Sequence, residues 1–230
     1  MRYNVDLSRG SPTPALRAWN EVYNLVWIRS HGLRGTRVGV ESFTNRYRSR
    51  DDANCFMVMW LRNLDRITKT LEETTQLNTL TFLDVGCGTG IPTLYAATRY
   101  EFADLRGFDF EAPLIEDARR NQEKFPKAGR RCTFDVGDAS QLKLPKARYL
   151  LFLANPFGER VLEQFISNNL DILASTRSYI AMVNDHGIQN VMATSGVSPV
   201  SYTHLRAHET VLDLVCRLLL EKKKKKHKKT

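Results

Sequence analysis

The sequence predicts a doubly wound parallel α/β sheet, and three observations carry that prediction. First, a short apolar run, Phe82-Leu83-Asp84-Val85, enters a loop with glycines at alternate positions, Gly86, Gly88 and Gly90, and then a helical pattern. Second, apolar strand patterns recur after it, with amphipathic stretches between them, so that the order reads β-α-β-α-β-α-β-α-β. Third, Tyr149-Leu150-Leu151-Phe152-Leu153-Ala154 is almost wholly apolar, as a parallel strand buried on both faces has to be.

The elements follow in order. Pro14 to Arg29 reads as a helix with Leu16, Trp19, Tyr23, Val26 and Trp27 on one face, and Asp52 to Glu73 as a second helix presenting Phe56, Trp60, Leu64, Ile67 and Leu71. Both stripes read as core that packs on the sheet, which makes residues 1–79 a helical appendage. The polar, glycine-bearing stretch from Arg34 to Phe43 joins them.

The glycine loop turns sharply from strand to helix, and its backbone can approach a ligand with no side chains in between. Pro92 sits in the first turn of the next helix, where its missing N–H does no harm. A dinucleotide loop wants its third glycine (or an alanine) at the sixth position, and here that position is Ile91. Leu105 to Phe110 is the second strand. Its Asp109 stands where an acid can accept both hydroxyls of a ribose, with Glu111 the neighbouring candidate. Pro113 to Gln122 reads as a helix.

The third strand, Cys132 to Val136, leads into Gly137-Asp138-Ala139. Strand four runs into Asn155-Pro156-Phe157-Gly158, beyond the carboxyl end of the sheet where ligands of such folds bind. Glu159 to Ala174 is a helix with Val161, Phe165, Leu170, Ile172 and Leu173 on one face, and Ser178 to Asp185 is strand five.

The Asp-x-Gly-x-Gly-x-Gly spacing from Asp84 to Gly90 resembles the first motif of class I S-adenosylmethionine-dependent methyltransferases, and the likeness extends over about Leu80 to Asp185. The resemblance implies a Rossmann-like sheet with S-adenosyl-L-methionine as cofactor. Asp84, Gly86, Cys87, Gly88 and Gly90 would then shape the methionine pocket, and Asp109 would take the ribose. Asp138 would take the adenine amino group, with Asp135 as the alternative, and Phe110 and Ala139 would be apolar walls.

Asn155-Pro156-Phe157 resembles the Asn-Pro-Pro-Tyr motif of amino-group methyltransferases, in which the Asn and a Pro carbonyl orient the acceptor. Phe157 and Gly158 depart from that motif, so a plain strand-to-helix turn stays open. A group of bacterial methyltransferases of unassigned substrate carries the Asn-Pro-Phe form. The reading is therefore an enzyme methylating an unidentified acceptor, nitrogen slightly preferred, with Asn155 as the catalytic candidate. In the resembling group the segment holding Glu41 and Phe43 lies near the cofactor mouth, as a lid would. An NAD(P)-dependent oxidoreductase and a non-catalytic cofactor-binding protein are the rivals.

From about Pro199 the composition changes. Ser201 to Thr210 is the translation of DNA resembling a transposon-type sequencing-library adaptor, and Asp213 to Glu221 that of its flow-cell end. The lysine run that follows reads as adenines. On this reading residues 199–230 are adaptor read-through. The apparent helical periodicity of Val211 to Leu220 and the His204–His208 pair then carry no function. The methyltransferase domain, residues 80–198, would lack its C-terminal antiparallel strands and leave an exposed sheet edge.

The tail contributes +6 of the net charge of +9, so the basic balance ceases to suggest nucleic acid once it is set aside. No run is long and apolar enough for a membrane span, and the polar start has no signal-peptide core. Cys55, Cys87, Cys132 and Cys216 show no metal-ligand spacing, so no metal is expected, and a reducing cytoplasm is the default compartment.

Overall fold

A computed structural model describes residues 13–35, 37–38, 53, 56–183, 201–203 and 213–217. In chain order the elements are α1 (Pro14–Ser30), β1 (Arg37–Val38), β2 (Phe56–Met57), α2 (Leu61–Glu72), β3 (Thr81–Val85), α3 (Ile91–Arg99) and β4 (Asp104–Asp109). There follow α4 (Ala112–Gln122), β5 (Cys132–Val136), β6 (Tyr149–Leu153), α5 (Glu159–Ser175), β7 (Tyr179–Val183), β8 (Ser201–Thr203) and β9 (Asp213–Arg217).

The main sheet has the order β5-β4-β3-β6-β7-β9-β8. Its first five strands are mutually parallel, as expected. The chain winds outward from β3 through β4 to β5, then returns to place β6 on the other side of β3. That reversal opens a crevice at the carboxyl ends of β3, β4 and β6, where side-chain and backbone groups from separate loops converge.

The central strands β3, β6 and β7 bury both faces. Phe82, Leu105, Leu150, Phe152, Tyr179 and Ala181 face a core closed by α2, α3 and the inner side of α1. Leu83, Val85, Leu151, Leu153, Ile180 and Met182 face a second core, closed largely by Val161, Leu162, Phe165 and Ile166 of α5.

Several expectations need correction. The expected helix over Asp52 to Glu73 begins only at Leu61, because Phe56–Met57 pairs with Arg37–Val38 as a short antiparallel ribbon. In α1 the buried positions are Asn20, Asn24 and Ile28, while Trp19 and Val26 are 57% and 61% exposed. The expected stripe is thus rotated. Asn24 explains why: its Oδ1 accepts the N–H of Leu61 at 2.9 Å and its Nδ2 donates to Met59 O at 2.7 Å, so α1 caps the start of α2 from outside.

Between β5 and β6 no helix forms, against the alternating pattern. Residues 137–148 cross the second core as an irregular segment, and the buried Asn169 of α5 holds it by accepting Leu144 N–H (2.7 Å) and donating to Leu142 O (2.9 Å).

The sheet also does not stop at its fifth strand. Asp213–Arg217 is a strand antiparallel to β7, with Ser201–Thr203 paired beyond it. This replaces both the helical periodicity seen at Val211 to Leu220 and the bare edge expected beside β7. The outer edge of β7 offers a row of N–H and C=O groups, which an extended apolar segment such as Leu214-Val215-Cys216 satisfies.

Candidate functional site

The site begins with backbone shape. Gly86, Gly88 and Gly90 all lie in the left-handed region, at φ of 75°, 53° and 72°. Gly90 is the N-terminal cap of α3, and Ile91, at the sixth position, is fully buried. The loop is fastened from within: Gly86 and Cys87 donate to Phe108 O at 2.9 and 3.0 Å, and Gly90 donates to Cys87 O at 2.9 Å. At Gly86 glycine is required twice over, since an added Cβ would stand 2.2 Å from Cβ of Pro156.

That contact joins two of the segments singled out in the sequence. The Asn155-Pro156-Phe157 turn rests directly on the glycine loop, at the carboxyl end of β6 beside β3. Asn155 itself has φ of 54°, a conformation that non-glycine residues rarely adopt and that Asn tolerates best. Ala53, from the segment before α2, forms an isolated antiparallel bridge with Phe157.

Four acids lie around the loop, and their surroundings differ. Asp84 is buried in β3 and accepts the Thr93 hydroxyl at 2.8 Å, which ties the strand to the first turn of α3. Burial pushes its carboxyl up to about 7, although the Thr93 bond pulls the other way. Asp109 ends β4. Its Oδ2 accepts the Gly88 N–H and its Oδ1 the Glu111 N–H, both at 2.9 Å, and burial raises it to about 6. The Phe110 backbone N–H also bonds this carboxylate. Glu111 is buried next to it.

Asp138 is buried as well. Its Oδ1 accepts both the backbone N–H and the hydroxyl of Ser140, at 2.9 and 2.8 Å, while its Oδ2 is buried with no hydrogen-bond partner. A buried carboxylate oxygen left unpaired is costly unless a donor arrives from a ligand. Asp135, the alternative acid, lies exposed on the edge strand.

Phe110 is half-buried and Ala139 lies in the second core, both on the two loops that carry these acids. Cys87 is buried within the loop, where desolvation pushes its thiol well above the ordinary range; it is packing, not a poised nucleophile. The lid residues Glu41 and Phe43 lie outside the described residues.

The sequence-selected residues thus lie on the loops at the carboxyl ends of the parallel strands, and their acceptors suit a nucleoside: Asp109 offers two carboxylate oxygens to vicinal hydroxyls, and Asp138 an orphaned oxygen to an amino group. Among the described residues no group of three or more His, Cys, Asp or Glu could hold a metal ion, and no helix is long and apolar enough to cross a membrane.

Sequence reasoning missed Thr89, Thr93 and Asn121. The buried Asn121 carboxamide of α4 touches both the loop and the segment after α1. Nothing in the run Arg119-Arg120-Asn121-Gln122 separates it from an exposed helix end.

A family model described as "Methyltransferase domain" matches residues 82–176, which span from the loop's strand to the end of α5. No curated protein matches the sequence. Among solved structures, the human methyltransferase 10 domain containing protein is similar at a TM-score of 0.56 and 14% identity, over 88% of this chain and 97% of that one. Magnesium protoporphyrin IX methyltransferase from Synechocystis, with bound SAM, is similar at 0.50 and 16% identity, over 92% and 98%. A SAM-dependent methyltransferase from Leishmania major is similar at 0.51 and 14% identity, over 68% and 72%. At such identities these likenesses show the fold, while the family match covers the site itself. Residues 82–176 form a methyltransferase domain, on a fold shared with S-adenosylmethionine-dependent methyltransferases.

Proposed function

We propose that the chain methylates a nitrogen acceptor, on a protein or a small molecule, presented at the Asn155-Pro156-Phe157 turn. The observation that carries this is the seating of Pro156 against Gly86, which leaves no room between the cofactor loop and the turn. An acceptor held by the turn therefore stands next to whatever the loop holds.

S-adenosylmethionine supplies a methyl group already activated on a sulfonium, so the protein's task is alignment and exclusion of water. The left-handed Gly86–Gly90 loop wraps the methionine end with no side chains in the way, Asp109 accepts the ribose hydroxyls, and Asp138 Oδ2 accepts the adenine amino group. Phe110 and Ala139 flank the base. The Asn155 side chain and the Pro156 carbonyl accept N–H bonds from the acceptor and aim its lone pair. No base stronger than these is needed, because the proton displaced from the nitrogen can leave to solvent.

The test is a methyl-label assay with the full chain, S-adenosylmethionine, and separate pools of proteins and of small amines. Label recovered as an N-methylated product is the expected result. Label recovered only as an ester or ether overturns the nitrogen assignment. Cofactor binding without label in either pool favours a non-catalytic role.

A further inference from the structure

The glycine loop is braced by a piece of chain far from it in sequence. Leu33, Arg34 and Gly35, just past the end of α1, lie across Thr89. The Thr89 hydroxyl donates to Gly35 O at 2.8 Å. Gly35 sits at φ 71°, and a Cβ there would stand 2.3 Å from Cγ2 of Thr89, so the two backbones meet with no space for a side chain.

Asn121 completes the junction with all three of its strongest bonding positions. Its Oδ1 accepts the Arg34 N–H at 2.9 Å, and its Nδ2 donates to Arg34 O at 3.1 Å and to Thr89 O at 3.0 Å. It is fully buried, so these bonds work in a low dielectric and have no water to replace them.

The approach to the junction is held too. Lys124 Nζ donates to Gly32 O, and the rings of Trp27 and His31 stack on Phe125 with centroids 5.9 and 5.1 Å apart. Within the loop, the N–H groups of Gly86, Cys87, Gly88 and Gly90 already bond inward to Phe108, Asp109 and Cys87. The Thr89 carbonyl is fixed only from this outer side.

We propose that Asn121 is a positioning residue and Leu33–Gly35 a clasp, which together hold the glycine loop in its cofactor-binding shape. This rests on reading the loop as the cofactor site. The N-terminal segment is then part of the cofactor site, although it contributes no side chain to it. Opening the loop breaks the clasp, so a ligand that rests on the loop also slows opening at Arg34.

The experiment titrates the full chain with S-adenosylhomocysteine, and follows hydrogen exchange at the Arg34 amide and urea unfolding in parallel. Asn121→Asp keeps the acceptor for Arg34 but loses both donors, and is expected to weaken binding about tenfold. Thr89→Val keeps the shape and loses one hydroxyl, for about fivefold. Thr89→Ser keeps the donor and is expected to bind as the wild type does. Saturation slows exchange at Arg34 in the wild type and less so in the two impaired variants.

If the variants lower only the urea midpoint, and affinity and the ligand-dependent slowing stay as in the wild type, the clasp is overturned. If the wild type itself ignores S-adenosylhomocysteine, the cofactor reading is overturned and the clasp with it. Should Asn121→Asp fail to fold, the Thr89→Val and Thr89→Ser pair decides alone.

Discussion

The two loops that meet at Gly86 and Pro156 are built on opposite principles. On the cofactor side, three left-handed glycines and a set of inward backbone bonds fix the shape, and side chains serve mainly to pin it. On the proposed acceptor side, a turn of ordinary residues carries Asn155 in the left-handed region, and the Ala53 segment bridges to Phe157. Backbone geometry constrains residue type severely, whereas a turn that presents side chains admits many. The first loop therefore announces its chemistry in the sequence and the second only hints at its own.

The sharpest way to break that contrast is Gly86→Ala. The new Cβ meets Pro156 and the residue is held at φ 75°, so the change strikes both loops together. We expect a loss of about 2–4 kcal/mol in urea unfolding and near-complete loss of S-adenosylhomocysteine binding. Adding Pro156→Gly removes the facing carbon and is expected to recover part of the stability. Wild-type affinity in Gly86→Ala alone would mean the cofactor does not use this loop.

Asp109→Ala is expected to be next in size. It removes an acceptor for the Gly88 amide as well as the proposed ribose acid, so affinity for S-adenosylhomocysteine drops about 100-fold, measured by calorimetry. Unchanged affinity would transfer the ribose role to Glu111.

What the sequence made legible divides along the same line. Alternate glycines and apolar parallel strands follow from local backbone demands, and the sheet order follows from right-handed winding. The N-terminal part was harder because polar side chains do its joining. Asn24 caps α2 and Asn121 fastens the clasp, and a reading by hydrophobic periodicity assigns both to the surface. Trp19 and Val26 then seem to mark the buried face when they do not.

The connection before β6 misled for a related reason. Asn169 supplies from α5 the backbone partners that a helix would have supplied from within. The strand at Asp213–Arg217 was invisible because its partner, the outer edge of β7, is defined only once the sheet exists.

The pH dependence of folding sharpens the view of the cofactor half. Asp84 and Asp109 sit above the ordinary carboxyl value, at about 7 and about 6, chiefly through burial. In the unfolded chain both ionise near 4, so between about pH 4 and pH 7 the native state binds more protons and stability declines as pH rises. Below pH 4 the contribution is fully present, and above pH 7 the loss is complete. Asp84→Asn, which keeps an acceptor for Thr93, is expected to remove up to about 4 kcal/mol of that decline between pH 4 and pH 7 in urea titrations. An unaltered slope would place the titration elsewhere.

Asp138→Asn separates recognition from folding. It converts the orphaned oxygen into a donor, so the apo protein is expected to keep or gain stability by up to about 1 kcal/mol. Affinity for S-adenosylhomocysteine, by contrast, is expected to fall about tenfold, because a donor would then face the adenine amino group. Loss of stability with affinity intact would make the Asp138–Ser140 turn its whole purpose.

The smallest effects on binding and folding belong to the acceptor side, and there smallness is the informative result. Asn155→Gly suits the left-handed backbone, so stability is expected to change by less than about 0.5 kcal/mol and cofactor affinity by less than about twofold. Methyl transfer should nonetheless fall steeply, since the side chain proposed to accept the substrate's N–H has gone. Asn155→Gly that retains full turnover would reduce the Asn-Pro-Phe segment to a turn selected for its backbone. Orientation of the acceptor would then have to come from another element around the mouth, with the Ala53 segment that bridges Phe157 the nearest.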